Sequence, residues 1–250
     1  MTPWRWALVI ALLVGCVSSQ KGIAPGIQPA YQGAGFGRVL FLPVVIQANP
    51  SKKAAIDRAA ASSDRVFDQL ERAVVASFRN QPGVNGITPK ALSEHFSGNS
   101  AVLLGPASIL EEIGSGLAMG TRESRDSLSR ECIERDTYLD FVSYCVSQSA
   151  KWKAALVELS KNAFNADSAL LLVITNLEKS KRRGAYSIGA GVAAVLVDLN
   201  NGRLIWGREV EDFVVSDLSQ QVFPEWQTLF SKEFSEAFWI GFPGRRLVSP

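Results

Sequence analysis

Histidine is almost absent from this chain of 250 residues, where His95 stands alone. Cysteine is nearly as scarce: Cys16, Cys132 and Cys145 are the only three, and no two form a C-x-x-C pair. A metal site of the zinc type draws several ligands from these two residue types, so none is expected. A serine triad would have to recruit His95 from Leu92-Ser93-Glu94-His95-Phe96, and no G-x-S-x-G accompanies it. Excess charge is lacking too. With 26 Lys+Arg against 24 Asp+Glu, the chain has no basic excess to suggest nucleic acid. Gly114-Ser115-Gly116-Leu117-Ala118-Met119-Gly120 is one residue too long for G-x-G-x-x-G, follows a helical pattern and has no Walker lysine. No cofactor is expected. The carboxylate pairs Glu111-Glu112 and Asp136 with Asp140 are no more than acidic residues produce freely, and glycosidase-type work needs two carboxylates facing across a cleft. No internal repeat is present, and beyond residue 16 no apolar run reaches the ~20 residues of a membrane-spanning helix.

What is present begins at the first residue. MTPWRWALVIALLVGCVSSQ has one cation, Arg5, then an apolar run over residues 6–14, then Gly15 and Cys16. This order of parts is that of a secretory signal, and the run is too short to span a bilayer comfortably. Leu13-Val14-Gly15-Cys16 resembles the bacterial lipobox. The resemblance implies cleavage between Gly15 and Cys16, a diacylated Cys16 thiol and an acylated new amine, which would hold the chain at a membrane surface. An ordinary signal peptide or an uncleaved anchor is the alternative. Val17, not Asp, follows Cys16, which by the same resemblance favours the outer membrane, with the folded part facing the periplasm. Removing residues 1–15 takes away only Arg5, leaving 25 Lys+Arg against 24 Asp+Glu. In an oxidising compartment the remaining Cys132 and Cys145 read as a disulfide. Its loop would add about 3 kcal/mol by the chain-entropy argument; two buried free thiols are the other possibility.

Residues 16–37 are rich in Gly, Pro, Ser and Gln, a composition suited to a tether. Residues 38–46 are almost wholly apolar, as a strand buried on both faces would be, with Pro43 at a bulge or an end. Residues 51–80 turn helical, with Phe67, Leu70, Val74 and Phe78 recurring at three and four. A short strand over 84–88 and a short helix over 89–96 follow. Residues 100–117 read as a small strand or turn joined to a helix around Ile109, Leu110 and Ile113. Residues 121–136 interleave charges of both signs and read as solvated. A second long helix carries Trp152, Leu156, Leu159 and Phe164 and ends near Asn165. A buried strand over 169–174 comes next, then a hairpin of 187–199 and 203–215 joined by Asn200-Asn201-Gly202. A final helix carries Trp226, Leu229, Phe230, Phe234 and Phe238.

The run VAAVLVDLNNGRLIWGREVED over 192–212, with Asp198, Gly202 and Trp206, resembles the hairpin of periplasmic α/β lipoprotein domains. That group includes the curli-secretion lipoprotein CsgG, the amino-terminal domain of TolB and the synthase activator LpoB. The opening strand before a long helix and the strand at 169–174 match the same layout. The resemblance implies one periplasmic domain over 38–240, of class α/β (α+β). The order of the elements reads as a mixed sheet of about five strands, flanked by helices and ending in a hairpin and helix; about 100–148, which does not fit the family layout, reads as a helical insertion and 241–250 as a tail. A pore of the curli type needs membrane-crossing hairpins, and residues 178–191 are too polar at their start and too Gly-rich at their end. The expected role is therefore that of a non-enzymatic adaptor, activator or assembly factor. It would serve secretion, envelope assembly or cell-wall synthase regulation, through an envelope protein partner or self-association. The alternatives are a subunit of an oligomeric export channel, or a hydrolase acting on peptidoglycan or lipid. Lys179, Lys181, Arg182 and Arg183 form the one basic cluster. It is a solvated loop or a contact for lipid head groups or an acidic partner. Trp239 and Phe242 lie off the last helix's single stripe and are candidates for a partner contact.

Overall fold

A computed structural model of the chain describes residues 37–46, 56, 58–60, 66–79, 84–119, 138–182, 185–216 and 222–243. The leader, Cys16, Cys132, Asp136 and Arg183 lie outside the described residues. In chain order the strands are β1 (Arg38–Phe41), β2 (Val45–Ile46), β3 (Asn85–Ile87), β4 (Ser168–Arg182), β5 (Ala185–Asp198) and β6 (Leu204–Val215). The helices are α1 (Val66–Phe78), α2 (Pro89–His95), α3 (Ser100–Met119), α4 (Tyr138–Phe141), α5 (Ala150–Asn162) and α6 (Trp226–Glu233). A π-helical turn, Val142–Val146, continues α4, and a 3-10 turn, Glu236–Trp239, follows α6.

The six strands make one mixed sheet in the order β3-β1-β4-β5-β6, with β2 also paired to β4. β1 runs parallel to β3 and β4; β4, β5 and β6 are antiparallel to one another. The expected class, a mixed sheet flanked by helices with a hairpin and helix at the end, is the one observed. The opening apolar run is two short strands because Leu42-Pro43-Val44 interrupts it. Proline has no N–H to give a ladder.

Alternate residues of the central strands are buried on opposite faces, which explains their continuous apolar character. Leu170, Leu172 and Ile174 of β4 and Val192, Ala194 and Leu196 of β5 join one core with α1, α6 and the 3-10 turn. Ala169, Leu171 and Val173, with Ala193, Val195 and Val197, join a second core with α2, α3, α4 and α5. The domain is thus three layers deep at its root. Burial of Val66, Leu70, Val74 and Phe78 on α1 follows the spacing of three and four. The N-termini of α2 and α5 are capped by side chains: Thr88 Oγ1 accepts from Ala91 N at 3.3 Å, and Ser149 Oγ from Trp152 N at 3.2 Å.

Three expectations need correction. Residues 100–119 hold no strand: they form one helix that carries Pro106 inside it. Pro106 lies with Leu103 and Leu110 on the buried side, so packing offsets the lost hydrogen bond. The strand expected over 169–174 extends to Arg182, because fourteen register pairs with β5 hold it. Trp239 and Phe242 are 0% and 2% exposed, so they fill the core and do not offer a partner surface. Trp239 stacks on Trp206 at 5.9 Å, and its Nε1 donates to Ser77 Oγ at 3.0 Å. Phe242 meets Trp206 edge-on at 5.0 Å. These contacts come from α1 and β6, distant in sequence, and a helical stripe does not encode them.

Candidate functional site

The turn between β5 and β6 closes the root of the sheet. Asp198 accepts from Asn200 N at 2.8 Å and from Asn201 Nδ2 at 2.7 Å, and Gly202 N donates to the Asp198 carbonyl at 2.8 Å. Gly202 has φ +72°, the left-handed conformation that a glycine adopts without strain. Trp152 Nε1 donates to the Gly202 carbonyl at 3.0 Å, which ties the turn to α5. On the neighbouring strand, Gly207 leaves room for Leu139, since a Cβ there would come within 2.5 Å of Leu139 Cδ2. Glu209 accepts from Tyr138 N at 3.1 Å, anchoring α4 at its first residue.

Beyond that anchor the sheet changes character. From Glu211 onward, alternate β6 residues are exposed, Phe213 at 55% and Val215 at 49%. Opposite them in register lie Gly191, Gly189 and Ser187 of β5. Asn176 Nδ2 of β4 reaches across to Glu211 Oε1 at 3.0 Å, and Glu178 lies over Gly189. A Cβ at Gly191 would come within 2.7 Å of Thr175 Oγ1, and one at Gly189 would press on Glu178 at 3.2 Å. β6 ends the strand order, so among the described residues its outer edge is unpaired.

The two lysines of the basic cluster sit on the opposite face of the same end. The cluster belongs to β4 itself, not to a loop after a strand, because Lys179, Lys181 and Arg182 pair in register with Ile188, Tyr186 and Ala185. Lys181 Nζ lies 4.5 Å from the centre of the Tyr186 ring and donates to its hydroxyl at 2.6 Å. Lys179 Nζ lies 5.4 Å from the Phe223 ring, and the Tyr186 and Phe223 rings meet edge-on at 4.9 Å. Partial burial lowers the Lys179 pKa. Phe223 and Val222 are themselves exposed, Val222 at 61%. The strand tip therefore presents cations stacked on rings beside open apolar surface. Neither face of residues 176–182 is an apolar stripe, since Glu178 and Ser180 alternate with Lys179 and Lys181. A lipid-facing strand of a barrel needs such a stripe.

Where α6 crosses β6, the core holds charge. Glu233 shares the buried side of α6 with Trp226, Leu229 and Phe230. Neither of its carboxyl oxygens has a hydrogen-bond partner of normal geometry. Burial pushes its pKa up to about 9, with the Asp212 charge adding and Lys232 opposing. Lys232 Nζ pairs with Asp212 at 2.7 Å. Nearby Arg208, also buried, donates through Nη1 to the carbonyls of Ala237 at 2.6 Å and Phe238 at 3.2 Å, fastening the 3-10 turn to β6. Sequence reasoning passed over both residues, although their spacing signals them. Glu233 falls at the 226, 229, 230, 233 stripe, and Arg208 alternates with Trp206 and Val210.

The remaining candidates are dispersed. His95 Nε2 bonds the Asn162 carbonyl at 2.8 Å, and its ring packs against Phe96 and Phe164, so it joins α2 to the end of α5. Glu112 pairs with Lys151 at 2.6 Å on the surface between α3 and α5. Cys145 falls in the π-helical turn and Asp140 in α4. An open groove of about 470 Å³ between α1 and α2 carries both signs of charge, from Asp68, Glu71, Arg72, Arg79 and Lys90. Among the described residues no group of three His, Cys, Asp or Glu is placed to hold a metal.

No family model matches this chain, and no curated protein sequence matches it. Some solved structures are similar to it at low identity. The lipoprotein GNA1162 from Neisseria meningitidis is 13% identical, with 72% of this chain and 84% of that one covered and a TM-score of 0.42. The PelC dodecamer from Paraburkholderia phytofirmans is 9% identical, covering 88% and 94%, at 0.35. The LpoB C-terminal domain from Salmonella enterica is 13% identical, covering 73% and 89%, at 0.32. At these scores the likeness identifies no shared function.

Proposed function

We propose that this chain is an envelope lipoprotein, anchored by lipid on Cys16 to the outer membrane and facing the periplasm. There it acts as a non-enzymatic adaptor, activator or assembly factor for another envelope protein. The leader sequence supports the anchor. The observation that carries the binding role is the outer half of β4, β5 and β6: α6 covers one face, while the other exposes Phe213 and Val215 beside a strand edge that is unpaired among the described residues. Strand edges pair readily with further chains, and apolar residues beside one add burial to the backbone bonds.

Two measurements test the two halves separately. A fatty-acid analogue should label the parent chain and not Cys16→Ala; label retained by the variant sinks the anchor. A photo-crosslinking residue at position 213, in cells making the full chain, should join one defined envelope protein or a second copy. The same residue at position 104, exposed on α3, should not. Equal products from both positions would refute a docking edge on β6.

A further inference from the structure

We infer that the outer end of β4, around Lys179 and Lys181, is a second contact, made with the anionic surface of a lipid bilayer and not with protein. The chemistry lies on one face. Lys179 and Lys181 stand over the rings of Phe223 and Tyr186, the rings touch, and Val222 next to Phe223 is open to solvent. Lys179 and Lys181 share this face, and the sequence from 179 to 186 holds no acid. The nearest carboxylate on the strand, Glu178, is on the opposite face, above Gly189. This charge meets the negative potential of phosphate head groups, which attracts clustered Lys and Arg. Rings at the base of the cations suit the boundary between head groups and acyl chains, where aromatic side chains collect, and the long lysine stems let the ammonium groups stay in water. An acidic protein partner would satisfy the charge. It would leave the exposed Val222 unused unless it brought an apolar surface of its own.

The contact does not depend on the anchor on Cys16, and the test separates the two. The full chain carries a genetically encoded fluorescent amino acid at position 222 and is mixed with phosphatidylcholine vesicles, with or without phosphatidylglycerol. A second preparation carries it at position 104, on α3. Both vesicle types contain a lipid with a quencher at head-group depth. Quenching is expected at position 222 on the anionic vesicles only, and it should fade with added salt. Lys179→Gln with Lys181→Gln should weaken the contact about 30-fold, at about fivefold per cation. Lys181→Gln alone, at an exposed position, should weaken it by about the single factor. Equal quenching at 222 and 104, or equal quenching on neutral vesicles, overturns the inference. Inorganic phosphate that changes the signal without vesicles would mark a soluble-anion site and also overturn it. So would a photo-crosslink from position 222 that lands in protein while lipid is present.

Discussion

Replacing Glu233 by Gln should remove a loss of the fold's stability that sets in as the pH rises across the neutral range. Glu233 is 7% exposed, and its pKa rises from 4.5 to about 9, chiefly through burial and then through the Asp212 charge. The folded chain therefore keeps a proton that the unfolded chain releases above pH 4.5. Stability from this group is complete below pH 4.5, falls as the pH rises from 4.5 to about 9, and is level beyond. At roughly 1.4 kcal/mol per pH unit, the loss between pH 4.5 and pH 7 is about 3 kcal/mol. Glutamine has nearly the same volume and no proton to lose. Urea unfolding of the two proteins at a series of pH values should give similar stabilities near pH 4.5. A gap favouring Glu233→Gln should then widen to about 3 kcal/mol at pH 7. Asp212, Lys232 and Glu211 act on the same carboxyl, so Asp212→Asn should narrow that gap in the parent by lowering the Glu233 pKa. Parallel pH curves for parent and Glu233→Gln would refute a neutral, buried Glu233.

Phe78→Ala should cost about 3–5 kcal/mol in the same unfolding assay, because the buried ring meets Phe41, Trp239 and Phe242 at 4.6–5.4 Å. Gly202→Ala should cost about 1–2 kcal/mol, since its φ is +72° and the new Cβ would press on Trp152 and Lys153 at 3.1 Å. A loss within about 0.3 kcal/mol would show that the turn relaxes. For the Cys132–Cys145 pair, alkylation after unfolding without reductant should leave both sulfurs unmodified. Two alkylated cysteines would refute the bridge.

Local patterns carried most of the fold. The spacing of Leu70, Val74 and Phe78 identifies α1, and Asn200-Asn201-Gly202 locates the β5–β6 turn, because each rests on neighbours within a few residues. Pro43 likewise marks the interruption between β1 and β2. What the pattern missed depends on distant partners. Pro106 argues against a helix by itself, and only its burial with Leu103 and Leu110 overrides that. The polar stretch after Ile174 reads as a loop because its strand character comes from seven pairs with β5, not from its own composition. Trp239 and Phe242 looked available for the same reason: Trp206 and Phe78, which enclose them, lie far away in sequence. The basic cluster was visible as a run of charge, but its rings, Tyr186 and Phe223, were not, since one comes from the facing strand and the other from beyond β6.

The long hairpin joins two kinds of environment within single strands. Around Leu171 and Ala194 both faces are sealed, and amide hydrogens there can exchange with solvent only when the whole domain unfolds. Around Glu178 and Phe213 one face of the same ladder is open to water while Ile188 and Ala190 stay buried on the other, so its outer rungs part at less than that free energy. The bulge between Ile174 and Asn176 lies close to the border. Opening can stop there, which lets the outer sheet fray, grip and re-form while the inner sheet stays closed.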